Sequence, residues 1–205
     1  MEIHPILKRY GHFFAYLLII TAVALLGRLY PPLLYPGSVL LMVAAPLIME
    51  GGLKGLHWDS GSFLVGLCIS ALILVVYLVF VLRVLEGEGW HWLDRVLKHP
   101  EIVALIVLNM FVVAFSEEVF FRGYLQNKIG MNIRGVIIVS AMFAAAHFIV
   151  AVLGAGAVVG FSLKGLLTFF PSIVMGYMYV RLKTLWPSIL FHFLSNLLYI
   201  GTGGL

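Results

Sequence analysis

Polar residues cut this chain into long apolar runs, and the lengths of those runs predict helices that cross a membrane. After Lys8 and Arg9 comes an apolar run over residues 13–26. Pro31-Pro32 and Pro36-Gly37 mark a turn. A second run, 39–49, is short and interrupted by Pro46, and residues 50–61 form a polar loop with several glycines. Residues 62–85 are long enough for the ~20 residues that a bilayer requires. Residues 86–100 mix five charged side chains with Trp90, Trp92 and Leu93, the pattern of an interfacial segment with aromatic anchors. Four further runs follow: 101–125, 135–153, 165–182 and 186–200. Pro171 should kink the third of these or mark its ordered start, and Pro187 takes a favoured first-turn position in the last. A Gly-rich loop is expected over 154–164. The pattern predicts an all-α, polytopic transmembrane helix bundle of about seven spans. Residues 1–100 supply the first helices and the interfacial segment, and 101–205 a C-terminal four-helix core, within one integral membrane domain.

Composition narrows the class without changing it. Hydrophobic residues make up 62% of the chain and charged ones 11%, where a soluble domain has about 45–50% and about 25%. The single Cys68 lies in an apolar run, which excludes a disulfide framework and a cysteine metal site. The net charge of +4 comes from cations near segment ends, with no basic run, so no nucleic-acid partner is expected. Cations on the loops after the second, fourth and sixth spans, with Lys8 and Arg9, outnumber those on the opposite side. That bias places the N-terminus in the cytoplasm. Basic residues, an apolar run and Ala22-Val23-Ala24 also fit a signal peptide, but a first span is the expected form.

Candidate chemistry lies where polar residues enter the apolar runs. Of the nine acidic residues, only Glu117 and Glu118 sit well inside one. An ionisable group there is costly, by at least about 2.5–3.5 kcal/mol at mid-bilayer, and is functional by default. His147 and His192 are the two intramembrane histidines of the seven. At 1.5 Å per residue, Glu117 lies ~16 Å from Lys128, His147 ~20 Å from Arg134 and His192 ~14 Å from Lys183, all measured from one face. Three helices thus carry these residues in one layer. Helix phase separates the glutamates: Arg122 is ~40° from Glu118 but ~140° from Glu117 at 100° per residue. Arg122 can pair with Glu118 as an i,i+4 partner, leaving Glu117 without a fixed countercharge and suited to act as a general base. His192 and Asn196 share a face and can donate to a developing oxyanion. The plainer alternative is an ion pair with interhelical hydrogen bonds that only hold the bundle together.

Glu117-Glu118-x-x-x-Arg122, Phe143-x-x-x-His147 and His192-x-x-x-Asn196, in this order on separate helices, resemble the CPBP intramembrane proteases. These are type II CAAX prenyl protease-like proteins, also grouped as the ABI family. The run Gly176…Arg181…Leu185-Trp186-Pro187-Ser188-Ile189-Leu190 is similar too, and the resemblance covers about residues 100–200. It implies an intramembrane endopeptidase in which Glu117 and His147 activate water. His192 and Asn196 would stabilise the oxyanion, with Glu118 and Arg122 in support. The substrate would be a membrane-associated peptide or protein, and the site a prokaryotic inner or plasma membrane. No cofactor is expected. If zinc is used, Glu117, His147 and His192 form the His₂Glu set that zinc hydrolases employ, but there is no HExxH helix, and metal-independent water activation is favoured. Two other classes stay open: a non-catalytic peptide-binding protein of the bacteriocin-immunity type, and a small transporter or proton relay, for which no paired repeat is present.

Overall fold

In the computed structural model the described residues are 5–30, 33–84, 101–155 and 163–201. The expected interfacial segment at 86–100, Pro31-Pro32 and most of the Gly-rich loop lie outside them. The described residues form seven helices. These are α1 (Pro5–Leu29), α2 (Leu34–Glu50), α3 (Ser60–Val84), α4 (residues 101–129), α5 (Ile133–Ala155), α6 (Leu163–Leu182) and α7 (Trp186–Gly201). Two stretches, Gly11–Leu29 and Ile133–Val150, are long and apolar enough to cross a membrane; Pro36–Glu50 and Ser60–Val76 are shorter apolar helices.

Proline explains where the helix bounds depart from expectation. The turn anticipated at Pro36-Gly37 is instead the first turn of α2, where N–H groups have no intrahelical partner and proline loses nothing. Pro46 does not interrupt α2. Its ring costs the one bond to the carbonyl of Met42, while packing holds the turns on either side: Met42 is buried in the core, and Tyr124 donates to Met49 Sδ at 3.1 Å. The helix stops at Gly51, whose φ of 71° is the left-handed conformation that glycine adopts freely, and whose N–H caps the Leu47 carbonyl. Pro171 lies inside α6, eight residues past its start, so it does not mark the ordered start.

The central pillar is α4. Every residue from Val119 to Gln126 is buried, so this stretch is enclosed on all sides, as a helix without a solvent-facing stripe must be. It packs against α2, α5, α6 and α7; α1 packs on α2 and α5, and α3 on α7. Tyr16, Ile20 and Val23 build α1 into the same core as Phe120, Phe121, Phe143 and Met175, and the Tyr16 hydroxyl donates to the Met142 carbonyl at 2.8 Å. Outward faces stay apolar: Leu18, Leu40, Ile48, Leu64, Leu72, Val76 and Ile137 are exposed. A bundle apolar both inside and outside is what a lipid surround allows and water penalises.

Two stretches of α4 are wound as π-helix, Asn109–Ala114 and Val119–Gln126, on either side of the short α-helical piece Phe115–Glu118. Such windings leave loose carbonyls and are frequent at functional sites. Ser116 donates its hydroxyl to the Val112 carbonyl, and Asn127 Nδ2 donates to the Gly123 carbonyl at 2.9 Å. The loop after α2 is stitched to the turn between α6 and α7. Thr184 donates to the His57 carbonyl at 2.7 Å, Trp186 Nε1 to Leu56 at 3.1 Å, and the Leu185 N–H to Gly55 at 2.7 Å. That stitching sets where α7 begins, and therefore the depth of His192.

Candidate active site

The two glutamates have different surroundings. Glu118 is fully buried, and its Oε1 accepts from Arg122 Nη1 at 2.8 Å and from His192 Nδ1 at 3.0 Å. Arg122 is also fully buried. Its Nη2 donates to the carbonyl and hydroxyl oxygens of Ser172 at 3.1 and 2.7 Å, so α4 is pinned to α6. The guanidinium carbon lies 4.8 Å from the centre of the Phe143 ring, close enough for a cation–π contact. The i,i+4 pairing of Arg122 with Glu118 is present, across a stretch wound as π-helix and not at the 100° per residue of the expectation.

Glu117 points elsewhere. Its Oε2 has no hydrogen-bond partner, yet it lies 3.9 Å from His147 Nε2 and 3.7 Å from His192 Nε2. Both separations exceed a hydrogen bond. Three helices, α4, α5 and α7, therefore aim one carboxylate oxygen and two imidazole nitrogens at the same small region. The histidines differ in exposure: the His147 side chain is 40% exposed and that of His192 only 5%. The site thus has an open side at His147 and a closed side at His192.

Hydrogen-bond partners assign the ring protons. Both Nδ1 atoms face acceptors: the Glu118 carboxylate for His192 and the Phe143 carbonyl, at 3.0 Å, for His147. Each Nδ1 therefore carries hydrogen, and each Nε2 facing Glu117 is a lone pair while the ring is neutral. Asn196 lies one turn along α7 from His192 and is half-buried.

Sequence reasoning missed two contributors. Ser172 takes half of the Arg122 guanidinium, and a serine after a proline carries no signal of that role. Phe143 touches Arg122, His147 and His192 together, with ring centres 4.4 and 5.6 Å from those of the histidines; its place in the Phe-x-x-x-His pattern was the available hint. Glu118 also does more than expected, holding His192 as well as Arg122.

The zinc alternative can be tested on the donor set. Both imidazoles have the outer acceptors that metal-bound histidines take. The spacing is wider than such a site sets: ligand atoms of tetrahedral zinc with ~2.0–2.1 Å bonds lie ~3.3 Å apart, and here Glu117 Oε2 is 3.7 and 3.9 Å from the two nitrogens. Among the described residues no group of three His, Cys, Asp or Glu side chains is arranged to hold a metal ion.

With this geometry in view, comparison with known proteins adds a family. Residues 99–198, just under half of the chain, match the model of the type II CAAX prenyl endopeptidase Rce1-like family, so this part of the chain is similar to that CAAX-protease-like family. The match spans α4 to α7, the helices that carry the site. No curated protein and no solved structure matches the chain.

Proposed function

We propose that this chain is an intramembrane endopeptidase that hydrolyses a peptide bond of a membrane-associated protein or peptide, with Glu117 as general base. One observation carries the proposal: Glu117 Oε2 accepts no hydrogen bond and faces two imidazole nitrogens, while Glu118 is tied through Oε1 to Arg122 and His192. A water between Glu117 and His147 meets two acceptors, so it donates both protons and turns a lone pair outward. That lone pair attacks the scissile carbonyl carbon as Glu117 takes one proton.

Charge then develops on the carbonyl oxygen. His192, protonated and held at Nδ1 by Glu118, donates from Nε2 to that oxygen, and Asn196 adds an amide donor from the same helix face. As the C–N bond breaks, Glu117 returns its proton to the leaving nitrogen, so the products are a carboxylic acid and an amine. Arg122, itself held by Ser172, keeps Glu118 oriented, and the open side at His147 admits substrate. The donor spacing, wider than a tetrahedral zinc site sets, supports water activation without metal. We place the chain as a multi-pass integral membrane protein, its N-terminus cytoplasmic.

The test is purified full-length protein with a cleavable membrane reporter. Glu117→Gln and His147→Ala should each lower cleavage, Glu117→Gln by about 10²–10⁴-fold, the usual worth of a general base. If both cleave like wild type, the proposal is wrong. Unchanged cleavage in a strong chelator, with no metal found by elemental analysis, is expected; loss of activity restored by zinc would favour the metal version with the same three side chains. A phenotype kept by Glu117→Gln but abolished by filling the cavity would favour non-catalytic peptide binding.

A further inference from the structure

Away from the active site, α3 and α6 diverge and leave a groove of about 620 Å³, within the size range of ligand sites. One wall is Val65, Ile69 and Ile73, a stripe along one face of α3; the other includes Val174, Tyr177 and Arg181 of α6. The ends of the groove are chemically different. At its mouth, Ser62 Oγ lies 3.5 Å from the Leu182 carbonyl, where α3 starts and α6 ends beside the polar turn 183–185. Arg181 stands at this end, exposed, and no carboxylate among the described residues pairs with it. Asp59, the acid at the start of α3, is taken by the Ser62 N–H at 2.8 Å.

From Val65 to Ile73 the groove runs eight residues inward, ~12 Å at the helical rise, most of the ~15 Å of one leaflet's hydrocarbon. Its inner lining is hydrocarbon except for the Met178 thioether and the Tyr177 hydroxyl. A cation at the level of the helix ends above an apolar slot one leaflet deep has the shape of a phospholipid: charge at the surface, acyl chain below. A zwitterionic headgroup brings its own ammonium to compete with Arg181, whereas an anionic one leaves its phosphate charge for the guanidinium, the preference that basic pockets between membrane helices show. We propose that the α3–α6 groove is a binding site for one anionic phospholipid, with the acyl chain against Ile69, Ile73 and Val174 and the phosphate on Arg181.

The experiment uses the full chain in nanodiscs of equal phosphatidylglycerol and phosphatidylcholine with identical acyl chains, followed by native mass spectrometry of the released protein. Wild type should retain phosphatidylglycerol about five-fold over phosphatidylcholine, the effect of one interfacial cation. Arg181→Gln, at an exposed position, should bring the two to parity. Ile69→Trp, which fills the slot, should lower retention of both lipids. Equal retention by wild type, or a preference that survives Arg181→Gln, overturns the proposal. So does a peptide or a second copy of the chain retained at this face in place of lipid.

Discussion

Glu118→Gln takes one charge from a cluster in which neither Glu118 nor Arg122 has any solvent exposure. The amide keeps an oxygen at Oε1, but that oxygen now serves two donors, Arg122 at 2.8 Å and His192 at 3.0 Å, without a negative charge. Arg122 retains the two Ser172 oxygens and loses its only directly paired carboxylate among the described residues. Breaking one side of a buried pair costs about 3–5 kcal/mol, because the remaining charge is left uncompensated. The retained amide oxygen places the expected loss at the lower end, about 3 kcal/mol. Glu117→Gln breaks no hydrogen bond to Oε2 and removes one of two adjacent negative charges, so stability should stay within about 0.5 kcal/mol of wild type or rise. Removing the pair together, as Glu118→Met with Arg122→Met, should recover most of the loss, since apolar replacement of a buried pair is often neutral. The assay is equilibrium unfolding of the purified chain in mixed micelles, followed by circular dichroism, with reporter cleavage measured in parallel. A Glu118→Gln protein as stable as wild type, or a Glu117→Gln protein destabilised as much as Glu118→Gln, would refute the separation of the two carboxylates into support and base.

Ser172→Ala should remove one charge-assisted bond from Arg122 and cost about 1.5–3 kcal/mol; cleavage should fall far less than for Glu117→Gln, and equal losses would make Ser172 part of the chemistry. Gly66→Ala would set a methyl group 2.2 Å from Pro187 Cβ and 3.1 Å from its backbone Cα where α3 crosses α7. Overpacking of about 1–3 kcal/mol is expected, and unaltered unfolding would show that the helices can part freely. At the polar end of α2, hydrogen bonds from Lys128 and then Lys54 hold the Glu50 carboxyl below its ordinary 4.5. A depressed carboxyl contributes stability above its unfolded value and loses it as pH falls through the folded one. The lysines are 41% and 49% exposed, so the acid-induced loss below about pH 4.5 should stay under about 1 kcal/mol, and Glu50→Gln should flatten that limb of the unfolding–pH curve.

The helical class, the order of the helices and most of their bounds were legible in the chain, because apolar run length and proline placement are local properties. The pairing of Arg122 with Glu118 was equally local, since the two stand four residues apart on one helix. Pro36 and Pro46 misled because a proline weakens one bond, while burial of a whole helix decides whether that bond matters. The π-helical winding of α4 left no readable mark, since it answers to the helices packed around it.

Sequence alone thus determined that Glu117, His147 and His192 share one layer of the molecule and that Arg122 belongs with Glu118. Tertiary structure decided the rest: that Glu118 also holds His192, that Ser172 takes the second terminal nitrogen of Arg122, that both imidazoles turn Nε2 toward Glu117, and that the groove beside Arg181 exists. The reason is geometric. Rise and turn per residue set depth and phase along one helix, but which side chains meet between helices depends on their rotation and crossing, and those are set by packing of residues far apart in the chain.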